Sequence, residues 1–129
     1  MNNLIICILR IYDILVIFVQ MTVNVVKWLN VLDVVENDKE MLKAFIKFYK
    51  KLKDSNWQKP NDILDTFNSA DIVNCNPSNR IVFNIGGNKY RLITGYYFSK
   101  TFVNLYVKFV GTHKSYNKVE VCEIDMFKK

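Results

Sequence analysis

Residues 80–93, "RIVFNIGGNKYRLI", form two runs of alternating apolar and polar residues joined by Gly86-Gly87. Two glycines between alternating runs are a strong hairpin signal, because glycine takes the positive φ that tight hairpin turns need. A two-residue turn would pair Ile85 with Asn88, Asn84 with Lys89, Phe83 with Tyr90 and Val82 with Arg91. Strand alternation then assigns Ile81, Phe83, Tyr90 and Leu92 to a core face. Arg80, Asn84, Lys89 and Arg91 share the other.

A third strand is expected over Phe102–Val110, after a turn near Ser99-Lys100-Thr101. A four-residue loop would set Leu92 against Phe109, Thr94 against Val107 and Tyr96 against Leu105. Lys108 would then lie opposite Ile93, on the face of Arg91. A one-residue slip would bury Lys108 and expose Phe109, so burial selects the first register. The strand ends at Gly111 and delivers Thr112, His113 and Tyr116 to the edge of the cationic face.

Upstream, the pattern is helical. Asn37 or Asp38 can cap a helix in which Glu40 stands as in a capping box. Met41/Leu42, Phe45, Phe48/Tyr49 and Leu52 form one apolar stripe. An earlier helix is expected around Trp28–Val35, and a short one after Pro60, capped by Asn61 or Asp62. "NCNPSN" (74–79) breaks structure before the strands. The fold class is α+β, with helices on one face of a small antiparallel sheet and a polar, cationic opposite face.

At 129 residues the chain suits one domain with a real core. Its net charge of +6 is unevenly placed. Residues 39–59 carry seven lysines against Glu40 and Asp54, while residues 80–118 hold seven basic residues and no carboxylate. Between them stand Asp62, Asp65 and Asp71 with no basic residue. A solvated helix face accounts for the first block, but the second points to a polyanion.

Cys7, Cys75 and Cys122 lie far apart in the chain, without CxxC or Cys/His pairing, so structural zinc is not expected. The sparse, odd count fits reduced thiols in the cytoplasm better than disulfide staples. No phosphate-binding glycine loop is present, and no cofactor is expected. The leading "MNNLIICILRIYDILVIFVQ" (1–20) is strongly apolar. As a membrane helix it would carry Arg10 and Asp13 at about 2.5–3.5 kcal/mol each, softened if they pair. It lacks the basic start and cleavage site of a signal peptide. We read it as an extension upstream of a domain spanning 21–129 that opens with a strand at "MTVNVVKW". No membrane partner is expected unless residues 1–20 act as an anchor.

A sheet face with Arg80, Asn84, Lys89, Arg91 and Lys108 beside a His–Tyr loop suits a nucleic-acid backbone. Metal-independent RNA cleavage needs a base for the 2′-OH, a cation for the phosphorane charge and an acid for the 5′-oxygen. Histidine carries protons near neutral pH, and arginine clamps phosphoryl oxygens. The carboxylate-poor segment argues against a metal nuclease. Taken singly, each residue has a simpler explanation. His113 can fix a turn, Tyr116 can pack its ring, Arg91 can pair with an acid from 60–79, and the asparagines can serve the Gly-Gly turn. These residues by themselves point to a basic α+β domain that binds nucleic acid, with cleavage as the lesser option.

The motifs Trp57-x-Lys59-Pro60-x-Asp62-Ile63, "VFNIGGNKYRLI" (82–93) and "VKFVGTHKSYNK" (107–118) resemble the HigB family of toxins of type II toxin–antitoxin pairs. The resemblance runs from Met21 to Lys118, excluding residues 1–20 and the tail after Val119. It implies a RelE-like fold and a cytoplasmic mRNA interferase, an endoribonuclease acting on translating ribosomes. It also implies neutralisation by a cognate helix-turn-helix antitoxin. Carried over by motif, Arg91 would stabilise phosphorane charge, His113 would transfer protons and Tyr116 would stack on or orient the nucleotide. Lys89 and Lys108 would contact the RNA backbone, with Asn84, Lys59, Arg80, Lys114 and Lys118 as further binding candidates. The competing expectation is a non-catalytic RNA- or ribosome-binding module.

Overall fold

A computed structural model describes residues 5–11 and 14–128, with side chains from Met21 onward. Strands β1 (Ile5–Ile11) and β2 (Ile14–Gln20) pair antiparallel as a sheet of their own. Asp13 lies outside the described residues, as do the side chains of Cys7 and Arg10. Among the described residues, no helix is long and apolar enough to cross a membrane.

The remaining elements are β3 (Thr22–Val26), α1 (Trp28–Val35), α2 (Lys39–Lys53), α3 (Asn61–Thr66), β4 (Asp71–Val73), β5 (Arg80–Ile85), β6 (Tyr90–Phe98), β7 (Phe102–Thr112) and α4 (His113–Tyr116). The sheet order is β3-β7-β6-β5-β4. It is antiparallel except at β3, which runs parallel to β7. This is an α+β fold of the expected class, with β4 as a short edge strand not foreseen in the sequence.

The α2 helix starts as its capping residues dictate, with Asp38 Oδ1 accepting from the Met41 N–H at 3.1 Å. Its stripe of Met41, Phe45, Phe48 and Leu52 is buried against Phe83, Ile85, Leu92, Leu105 and Val110 of the sheet. Trp57 closes this core, donating its indole N–H to Thr66 Oγ1 at 2.8 Å. The α3 helix lacks the expected side-chain cap. Instead Asp62 turns back and accepts from the backbone N–H groups of Gln58 and Lys59.

Two registers differ from expectation. The β5–β6 turn has four residues, Gly86–Lys89, and pairs Ile85 with Tyr90, Asn84 with Arg91 and Phe83 with Leu92. The face assignments of the paired residues survive, because the shift is even. Lys89 leaves the sheet for the turn. Gly86 (φ 65°) and Gly87 (φ 70°) take the left-handed conformation, and a Cβ on Gly86 would come 2.9 Å from the Tyr90 ring.

Between β6 and β7, Thr94–Val107 and Tyr96–Leu105 pair as expected, but Ile93 then faces Phe109 across a β-bulge that leaves Lys108 extra. Phe109 therefore lies on the outer face with Val82 and Ile93, and not in the main core. Val110 takes the core position.

That outer face is consequently apolar over part of its area, and the C-terminal segment covers it. Val119, Val121 and Ile124 pack on Val82, Ile93 and Phe109. The Met126 N–H bonds the bulge carbonyl of Lys108 at 2.8 Å. Cys75 and Cys122 form a disulfide that ties this strap to the loop after β4, with Cα atoms 5.4 Å apart. The reading of three isolated thiols is corrected accordingly. The two cysteines stand 47 residues apart in sequence, and only the fold of the tail brings them together. Crosslinks over loops of this size contribute about 2–4 kcal/mol. Cys122→Ser should lower the unfolding free energy from urea titration by that amount, and reductant should lower the parent's urea midpoint without changing that of the variant.

Candidate functional site

Where β5 and β6 meet their turn, the outer face is not covered by the strap. A cavity of about 360 Å³ opens there, lined by Ser69, Ala70, Asp71, Val82, Asn84, Arg91 and Tyr116. Asn84 and Arg91 are cross-strand partners. Asn84 Nδ2 donates to the Ser69 carbonyl at 2.8 Å, fixing the loop before β4.

Arg91 is only 6% exposed, so its charge must be satisfied from within. Nη2 donates to Asn88 Oδ1 at 2.7 Å, and Nη1 to the carbonyls of Tyr90 (3.1 Å) and Asn88 (3.3 Å). Among the described residues no carboxylate stands within ion-pair distance of it. A guanidinium held by neutral acceptors keeps its positive charge uncompensated, which suits an anionic ligand. Its Cζ lies 5.4 Å from the centre of the Tyr116 ring, a cation–π contact.

Tyr116 and His113 come from α4. This helical turn is capped by Thr112, whose Oγ1 accepts from the Ser115 N–H at 3.2 Å. The His113 N–H donates to the Lys89 carbonyl at 2.8 Å, anchoring α4 to the β5–β6 turn. The His113 and Tyr116 rings stack with centroids 6.4 Å apart. His113 Nδ1 is buried and, among the described residues, meets no hydrogen-bond partner. His113 flanks the cavity through Tyr116 and does not line it.

The structure thus brings Asn84, Arg91, His113 and Tyr116 together, with Lys114 and Lys118 exposed on and just beyond α4. The other cationic candidates have intramolecular partners or lie elsewhere. Arg80 Nη1 donates to the Val121 and Ile124 carbonyls and so holds the strap. Lys108 Nζ meets Asp125 at 3.4 Å. Lys89 pairs with Glu40 of α2, and that hydrogen bond and charge raise its pKa. The pair is well exposed and adds little stability. Lys59 stands in the turn before α3, beside Gln58, which lines a separate recess with Met21 and Phe98.

Asp71 and Asn88 were read in the sequence as part of an acidic patch and as a turn residue, and not as site residues. Asp71 brings a carboxylate to the cavity from outside the carboxylate-free stretch, because β4 pairs Asp71 with Val82. Asn88 looked like a turn residue, and only the four-residue turn aims its side chain at Arg91. Asn88→Ala should cost about 1–3 kcal/mol in a denaturation titration, since it strips an acceptor from a buried guanidinium.

A family model described as "HigB_toxin, RelE-like toxic component of a toxin-antitoxin system" matches residues 41–119. The match spans α2 through α4 and includes Asn84, Arg91, His113 and Tyr116, while most of the strap lies outside it. No curated protein matches the chain.

Proposed function

Since the chain belongs to the HigB family, the RelE-like toxic components of toxin–antitoxin systems, we propose that it is an endoribonuclease that cleaves mRNA on the translating ribosome. As a toxin of this kind it has a cognate antitoxin. We take that partner to be a HigA-like helix-turn-helix protein and, from the mRNA target and not from the thiols, the site of action to be the cytoplasm, where the Cys75–Cys122 bond is subject to reduction.

The observation that carries the reading is the buried, uncompensated Arg91 beside the Tyr116 ring in an open polar cavity. Cleavage proceeds by attack of a ribose 2′-oxygen on the adjacent phosphorus. The 2′-O–P bond forms, the P–5′-O bond breaks, and the products are a 2′,3′-cyclic phosphate and a 5′-hydroxyl. Arg91 stabilises the charge that grows on the phosphorane oxygens, as a donor already held in place before the charge develops. His113 serves one of the two proton transfers through Nε2, taking the 2′-OH proton or protonating the departing 5′-oxygen, and water serves the other. Tyr116 offers its ring to an unpaired base. Lys114 and Lys118 attract the flanking backbone.

Induction of the parent should arrest growth and shorten mRNA. Arg91→Ala and His113→Ala should each slow cleavage on translating ribosomes by about 10²-fold or more and relieve the arrest. Unchanged toxicity in both variants would refute the site. Salt-sensitive RNA binding by the parent without cleavage products would instead identify a non-catalytic binding module.

A further inference from the structure

A second cavity, of about 450 Å³, lies between α2 and the β5–β6 turn. One wall carries a row of lysines, Lys43, Lys47 and Lys51, placed one helical turn apart on a single face, with Glu40, paired to Lys89, at its end. All three are exposed, and among the described residues none is ion-paired. Its floor is apolar, with Phe48, Phe67 and Ile85. Gly86 and Gly87 form its rim, and nothing lies within 4 Å of where a Gly87 side chain would begin, so a ligand can approach that backbone closely.

Asn84 lines both this groove and the Arg91–Tyr116 cavity. Asn84 stands past the end of β4, which pairs only with Arg80–Val82, and its side chain there holds the Ser69 carbonyl, so the two cavities are neighbours that share this residue. We propose that this groove is a binding site for single-stranded RNA. A strand held at Arg91 passes Asn84, rounds the edge of β5 and lies along α2, with phosphates against the lysine row and bases over the apolar floor. The inference rests on the proposed nuclease reading for the strand's origin at Arg91. An acidic peptide would match the lysines equally well. Continuity with the Arg91 cavity favours a single occupant that spans both, and a polynucleotide supplies that.

The test uses the full chain and a 2′-O-methyl oligonucleotide, which cannot be cleaved, with binding read by fluorescence anisotropy across a salt series. Removing the row with Lys43→Gln, Lys47→Gln and Lys51→Gln should weaken binding at least about tenfold and reduce the slope of log affinity on log salt by about 2. Glutamine keeps helix propensity, and circular dichroism checks the fold. A control triple, Lys39→Gln, Lys50→Gln and Lys100→Gln, removes the same charge outside the groove and should change affinity by less than about threefold. Equal losses in both triples would show a net-charge effect and overturn the path. So would binding by the groove triple at the parent's affinity, including the case where it escapes neutralisation by the antitoxin, which would assign the groove to that protein. The two readings fail separately. If cleavage needs Arg91 and His113 while the groove triple binds RNA normally, only the path falls. If the parent never cleaves but binding depends on the lysine row, only the nuclease reading falls.

Discussion

One extra residue in β7 determines how both faces of the sheet are used. The bulge at Lys108 turns Phe109 outward beside Ile93 and Val82 while Val110 still reaches the main core. The β5–β7 region is therefore apolar on both sides, and the outer side needs cover of its own. The C-terminal strap supplies it, held by apolar contacts, the Cys75–Cys122 disulfide, the two carbonyls on Arg80 and the Met126 bond to the bulge. Cationic residues that would otherwise crowd an open face are drawn into holding that cover.

The strap stops short of the β5–β6 turn, and the candidate site occupies what is left. Arg91 is fixed by Asn88 and two backbone carbonyls, so its charge is presented without a partner and at little conformational cost. The bond from His113 to the Lys89 carbonyl couples α4 to the same turn, and Tyr116 follows by helix geometry. Burial also raises the pKa of Tyr90, next to Arg91 in sequence.

Much of this was legible in the sequence, for local reasons. The Gly86-Gly87 pair, the cap and stripe of α2 and the alternation in β5 and β6 each depend on neighbours a few residues away. The length of the turn was not legible, because two-residue and four-residue turns put the same strand residues on the same faces. The bulge escaped because periodicity assumes a constant register. Burial then argued for placing Phe109 in the core, when a second, smaller core was waiting outside. The strap and its disulfide depend on contacts across some forty residues, between Arg80 and Val121 and between Cys75 and Cys122, and no local pattern announces them. Likewise Asp71 joins the site only through strand pairing.

The account stands on Arg91 being the phosphate-binding centre of an RNA site. The most direct measurement is a two-dimensional NMR titration of the full chain with a non-cleavable oligonucleotide, following backbone amides and the Arg91 side-chain Nε–Hε. The account predicts saturable shifts concentrated at Asn84, Arg91, His113 and Tyr116, with the Arg91 side-chain signal among the largest. Shifts confined to other surfaces, with the Arg91 signal unmoved at saturation, would contradict it.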